Sequence, residues 1–165
     1  MMKQKRRRIT LKTKITRLPN GHIARVDVIE HPGAALIVPF LSQNQVIFIR
    51  QFRPVIGCYL FELPAGTLDK NESAVACARR EIIEETGFSA GRILRLGKIF
   101  PVPGYSTEII TIFKAERLIK KEMKTEPDEV ITIRVFEKST VQKFFRQGKI
   151  RDAKTICALA FCGWL

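Results

Sequence analysis

Three glutamates, Glu81, Glu84 and Glu85, stand at i, i+3 and i+4 near the end of a segment with helical periodicity. At 3.6 residues per turn they share one stripe with Ala74, Cys77 and Ala78. The small apolar members direct that stripe towards the interior. Three penalties then meet at one place. Like charges at this spacing repel. Carboxylates in a poorly solvated position must protonate or find a partner. The C-terminal end of a helix also disfavours anions. A divalent cation would remove all three. Hard oxygen ligands suit Mg²⁺, with Mn²⁺ as a substitute. Two histidines, His22 and His31, are too few for a histidine metal cluster. The competing reading is a solvated acidic face balanced by Arg79 and Arg80.

The elements that must position these acids can be read from pattern. Asn71 to Thr86 is expected as a helix, with Asn71 or Ser73 capping its start and Gly87 as a left-handed C-cap. Ile9 to Arg17 and His22 to Glu30 read as the two strands of a hairpin turning at Pro19-Asn20-Gly21. Ala34 to Phe40 and Val46 to Phe52 are apolar runs, hence buried strands. Tyr59 to Leu63, Ile93 to Phe100, Glu108 to Ala115 and Val130 to Phe136 are further strands, with Lys120 to Asp128 a charged loop. Ser139 with Gln142 gives a capping-box signature for a helix reaching Gln147. A last helix starts at Asp152 or Lys154 and runs to Trp164. Strands outnumber helices and the order is no regular βαβ repeat, so the expected class is α/β (α+β) with mixed sheet layers.

Composition narrows the partners. The 165 residues suit one hydrophobic core. The 29 basic against 16 acidic residues give a net charge of +13, and residues 1–17 hold eight of the basic residues and no acid. Such an arm can attract nucleic acid, an anionic membrane or a phosphorylated ligand, or simply be a solvated terminus. Apolar runs such as Ala34 to Leu41 fall far below the roughly 20 residues of a membrane helix, and no apolar stretch of a secretory signal follows the arm. Cys58, Cys77, Cys157 and Cys162 match no zinc or redox spacing and read as reduced core residues of a cytoplasmic protein.

The acids belong to a longer string: Gly66, five residues, Glu72, seven residues, Arg80-Glu81-Ile82, one residue, Glu84-Glu85, one residue, Gly87-Phe88. It resembles the Nudix box at all nine constrained positions. A chance match in a chain this long is on the order of one in ten million. The resemblance implies a Nudix fold, mixed β-sheets sandwiched between helices. It further implies that Glu81, Glu84 and Glu85, with the carbonyl of Ala65, hold the cations, and that Glu72 and Arg80 brace loop against helix. Gly66 would give a tight backbone path beside the metals and substrate.

Further segments extend the likeness from about Pro19 to Leu159: Glu30-His31-Pro32-Gly33-Ala34, Gln51-Phe52-Arg53, Glu62-Leu63-Pro64-Ala65-Gly66, Pro101-Val102-Pro103-Gly104 and Gly148-Lys149-Ile150-Arg151-Asp152. They are similar to the ADP-ribose pyrophosphatase and nucleoside-diphosphate-sugar branch. That likeness implies Mg²⁺-dependent cleavage of ADP-ribose or a related compound to a nucleoside monophosphate and a sugar phosphate. It implies a homodimer, with residues 1–33 as a basic arm and dimerising hairpin and 34–165 as the hydrolase domain. Arg25 and Arg53 match arginines that contact substrate in relatives. Glu129, then Glu126, is the expected catalytic base, with Glu85 serving both metal and catalysis. Glu108 would orient water near the pocket or be a plain strand-end acid. Trp164, the single tryptophan, is far from the N-terminal strands, so adenine stacking would fall to Tyr105 or a phenylalanine. Alternatives within the class are cleansing of nucleoside triphosphates, dinucleoside polyphosphate cleavage and RNA decapping. A non-catalytic nucleotide or nucleic-acid binder on the same scaffold is the alternative outside it, disfavoured by the intact box.

Overall fold

The computed structural model describes residues 10–123 and 130–165. Strands β1 (Thr10–Arg17) and β2 (Ile23–Glu30) form an antiparallel hairpin with Thr10 opposite Glu30 and Arg17 opposite Ile23. Gly21, at φ 83°, supplies the left-handed residue that the turn requires. Every residue of β1 is exposed, Leu11 at 74% and Ile15 at 77% among them. The end of β2 is tied to the body by the Ile29 N–H on Tyr105 O at 2.7 Å and the Thr107 N–H on Ile29 O at 3.0 Å.

The body follows as β3 (Ala34–Ser42), β4 (Gln45–Arg53), β5 (Cys58–Glu62), β6 (Ala65–Thr67), α1 (Ala74–Thr86), β7 (Phe88–Ile99), β8 (Ile110–Lys120), β9 (Ile131–Glu137), α2 (Lys138–Arg146) and α3 (Ala153–Phe161). Seven strands run in the order β5-β4-β3-β8-β7, with β6 added to β3 and β9 to β4. The β3–β8 pair is parallel, which makes the sheet mixed. β3 and β4 pair only near their hairpin, at Phe40–Val46 and Ser42–Gln45, so beyond it the strands part into two wings. Residues 63–67 enter between them, with the Ile37 N–H donating to Pro64 O at 2.9 Å.

β3 explains why its sequence is a run rather than an alternation. Leu36 and Val38 pack with Phe48, Leu63, Ile112 and Leu159 on the α2–α3 side. Ala35 and Ile37 pack with Cys77, Ala78, Ile82 and Phe113 beneath α1. Both faces are covered, so every position is apolar. Each fully buried Leu, Ile or Phe here stabilises the fold by roughly 1.5–3 kcal/mol.

Of the two candidate caps of α1, Ser73 serves and Asn71, at φ 64°, does not. Four expectations need correction. β7 begins at Phe88, directly after the α1 cap, not at Ile93. β8 runs from Ile110 through Lys120, past the expected end at Ala115, so among the described residues of the expected charged loop only Lys120 is strand. Ser139 lies inside α2, whose N-cap is Glu137 with no side-chain cap hydrogen bond, because β9 runs straight into the helix. Trp164 lies beyond α3; it is 3% exposed and meets Phe40 edge-on at 5.5 Å. Of the four cysteines, Cys77 is fully buried while Cys58, Cys157 and Cys162 are half-buried; all are free thiols. Among the described residues no helix is long and apolar enough to cross a membrane.

Candidate active site

The Ser73 Oγ accepts the Ala76 N–H at 3.2 Å, and Gly87, at φ 69°, closes the helix with its N–H on Ile83 O at 2.9 Å. These caps fix the frame of α1, and its buried face carries Cys77, Ala78, Glu81, Ile82 and Glu85. β6 lies under that face. Glu85 is 2% exposed, and its Oε2 accepts the Ala65 N–H at 2.9 Å. The Glu81 carboxylate lies against Gly66 so closely that a Cβ there would fall 1.6 Å from Oε1.

Arg80 holds the remaining acids. Its Nε and Nη2 donate to the two oxygens of Glu72 at 3.0 and 2.9 Å. Its Nη1 donates to Glu81 Oε1 at 2.5 Å and Glu84 Oε2 at 3.0 Å. Glu72 also accepts the Asp69 N–H at 2.9 Å, which ties the loop before α1 to the same guanidinium. The hydrogen bonds from Arg80 pull the Glu72 carboxyl down to about 2, and Glu72 in return raises the Arg80 guanidinium further. The expected brace between Glu72 and Arg80 is therefore present.

Among the described residues no three His, Cys, Asp or Glu side chains are gathered as a ready cation cage. Arg80 supplies the positive charge between Glu81 and Glu84, and Glu85 is turned to the Ala65 backbone. The donor set itself fits a hard divalent ion. It is all carboxylate, two of its members are buried, and it faces a glycine whose missing side chain leaves room for Glu81.

Beside the carboxylates opens a cavity of about 410 Å³ whose lining includes Arg53, Ala65, Gly66, Glu108, Asp152 and Lys154. Arg53 donates from Nε and Nη2 to Glu62 at 2.7 and 2.6 Å, and Lys154 Nζ donates to the same carboxylate and to Asp152 Oδ1 at 2.8 Å. Glu62 is 0% exposed. Burial pushes its carboxyl up, but the Arg53 hydrogen bond and the Lys154 charge outweigh it, so the net shift is down. The Arg53 guanidinium is raised, chiefly by its bond to Glu62. The Arg53 guanidinium thus stays charged at the cavity wall. Asp152 caps α3, its Oδ2 accepting the Thr155 N–H at 3.0 Å, and the Thr155 Oγ1 accepts the Leu63 N–H at 2.9 Å. A cavity that joins this cation pair to the β6 residues beside Glu81 and Glu85 can grip a phosphate chain at one end and bring it towards a cation-binding edge at the other.

Glu108 borders this cavity; its N–H donates to Ser106 Oγ at 3.1 Å, and its Oε1 lies 3.7 Å from His31 Nε2. Arg25 does not join the cavity: it is exposed on β2, opposite Ile15. Tyr105 is 56% exposed on the loop that anchors the hairpin. Glu126 and Glu129 lie outside the described residues. Sequence reasoning assigned no role to Lys154 or Glu62. Both carried a signal. A lysine in the first turn of a helix opposes the macrodipole, and a glutamate inside the apolar run Tyr59 to Leu63 needs a buried partner.

Fold and site together define an α/β scaffold with an acidic helix edge packed on β6 and, beside it, a cavity lined by charged residues of both signs. Residues 30–159 match the NUDIX domain. The chain is 33% identical over 146 residues to an ADP-ribose pyrophosphatase of Bacillus subtilis (strain 168), covering 87% of this chain and 79% of that protein. It is 33% identical over 138 residues to a GDP-mannose pyrophosphatase of Salmonella arizonae, covering 78% of this chain and 72% of that one. A solved structure described as an ADP compounds hydrolase superposes with a TM-score of 0.80 at 22% identity, covering 96% of this chain and 86% of the other. The chain belongs to the Nudix family and is a hydrolase of that family, whose members generally depend on divalent metals.

Proposed function

We propose that this protein cleaves the pyrophosphate bond of ADP-ribose, or of a related nucleoside diphosphate sugar, to a nucleoside monophosphate and a sugar phosphate. The observation that carries this reading is that one cavity is lined both by the cations Arg53 and Lys154 and by Ala65 and Gly66, the β6 residues against which Glu85 and Glu81 of α1 lie. A pyrophosphate flanked by two organic groups needs both. The names of the pyrophosphatase relatives support the substrate class.

In this reading Glu81, Glu84, Glu85 and the Ala65 carbonyl hold Mg²⁺, with Mn²⁺ as a substitute. Bound there, the ion would neutralise phosphate charge and lower the pKa of attacking water. Arg80 releases Glu81 and Glu84 to it while keeping Glu72. Arg53 clamps a phosphate through the guanidinium edge that Glu62 leaves open, and Lys154 adds a second charge. Gly66 lets the substrate approach the backbone, and Glu108, steadied by Ser106, orients water. Glu129, or Glu126 in its stead, removes a proton from that water.

The chain acts as a homodimer in this reading. The exposed apolar residues Leu11, Ile15 and Ile23 of the hairpin support it, since a two-stranded ribbon gains stability only by packing on something. Residues 1–33 then serve dimerisation, and Arg25 reaches the partner's cavity. A cytoplasmic enzyme, with nucleic-acid binding through the basic arm open but not favoured, completes the proposal. A substrate panel tests it: ADP-ribose, GDP-mannose, dinucleoside polyphosphates and dNTPs, each with Mg²⁺ and then Mn²⁺. ADP-ribose is expected to give AMP and ribose 5-phosphate. Turnover of none of the nucleoside diphosphate sugars would overturn the reading.

A further inference from the structure

A second cavity, about 300 Å³, lies between β5 and the loop joining α2 to α3, and it shares no lining residue with the first. Three cations line it: Arg50, Lys149 and Arg151. Among the described residues no acid lines it. Gathering like charges around one depression is unfavourable unless something neutralises them. Arg53, Arg80, Arg92, Lys114 and Lys154 each have a carboxylate within an ion-pair distance. Among the described residues no ion pair involves Arg50, Lys149 or Arg151. Arg50 sits over the Tyr59 ring, with its guanidinium carbon 3.8 Å from the centroid. Lys149 rides over Phe144 at 4.8 Å, and Arg151 Nη2 donates to Cys58 Sγ at 3.9 Å.

The position of Arg50 is itself an anomaly. On β4 the alternate residues Val46 and Phe48 enter the core on the α2–α3 side, and the next position in that alternation is Arg50. A charged residue there ends the apolar face at the cavity. Lys143 and Arg146 nearby are different, because they lie in the last turn of α2 and complement its dipole. The three cavity cations lack such a reason.

We propose that this cavity is a second, non-catalytic anion site that takes the phosphate group of a phosphomonoester. A phosphomonoester carries close to two negative charges at neutral pH and several acceptor oxygens, which suits two guanidinium groups and one ammonium converging on a compact space. A polyanion would instead call for cations strung along an open groove.

Isothermal titration of the full chain with inorganic phosphate tests the proposal. Wild type is expected to bind phosphate at this cavity in addition to the cavity of Arg53 and Lys154. K149Q and R151Q should each weaken that event at least tenfold, R151K should restore most of it, and hydrolysis of nucleoside diphosphate sugars should stay unchanged. Lys149 is exposed, so K149Q carries the test even if R151Q fails to fold. Phosphate binding that is identical in wild type, K149Q and R151Q would overturn the site. A single-stranded RNA oligomer is the second arm: if it binds in a way that needs Lys149 and Arg151 while inorganic phosphate does not, the phosphomonoester assignment is overturned. Because binding is read without turnover, failure of the hydrolase reading and failure of this site are distinguishable.

Discussion

Replacing Gly66 with alanine separates the catalytic role of Glu81 from its structural one. The added Cβ would sit 1.6 Å from Glu81 Oε1 and 1.9 Å from its Cδ, where ordinary contact begins at 3.4 Å. The carboxylate must therefore move by about 1.8 Å. The atoms in the way are the far end of a flexible side chain, and residue 66 has no positive φ, so the backbone accepts alanine. Stability should change little: glycine to alanine at a compatible site gains roughly 0.4–1 kcal/mol, which offsets a weakened contact between Glu81 and Arg80. Activity should not survive so well. A misplacement of about 1 Å in a catalytic group can cost about 100-fold, or about 2.7 kcal/mol of transition-state stabilisation. G66A should thus lose at least about 100-fold in kcat/KM for ADP-ribose with a melting temperature within a few degrees of wild type. Steady-state kinetics beside thermal melts decide it. Activity within about threefold of wild type would refute the placement of Glu81 as a working ligand against β6.

Other consequences are equally checkable. E62Q leaves Arg53 and Lys154 without their shared buried carboxylate, so it should cost about 1–3 kcal/mol in denaturant unfolding and raise KM, and unchanged stability would contradict the buried network. The Glu30 carboxyl is held at about 2 by hydrogen bonds from Lys12 and Lys14, against an ordinary 4.5. The hairpin should keep this support above pH 4.5 and lose it as pH falls from there towards 2, and an NMR titration placing Glu30 near 4.5 would remove the effect. The Cys77 thiol is fully buried, and burial pushes it up to about 12. It should be the last of the four thiols to react with an alkylating reagent on the native protein, as mass spectrometry of partly labelled samples would show.

Much of the scaffold could be read from pattern because local chemistry and tertiary need coincide. The run Ala34 to Phe40 is apolar since β3 is covered on both faces, and Gly87 ends α1 since only an αL residue closes it there. The errors arose where a distant partner decides. β6 is three residues long and exists only because Ala65, Gly66 and Thr67 pair with β3, which no local window contains. The start of β7 at Phe88–Arg92 is masked by Ser89 and Gly91 and is made a strand by β8 opposite. The acidic edge of the site was legible because Glu81, Glu84 and Glu85 sit close in sequence. Its cationic wall was legible only as Arg53. Lys154 is 92 residues from Glu62, and their meeting depends on the packing of α3 against β3.

Titration of Mn²⁺ into the full chain, followed by the electron paramagnetic resonance signal of the free ion, probes the acidic edge without any turnover. Wild type should deplete the free-ion signal, and E81Q, E84Q and E85Q should each weaken binding by tenfold or more while keeping the fold. Equal Mn²⁺ uptake by wild type and all three variants would contradict the assignment of α1 as the metal-binding element.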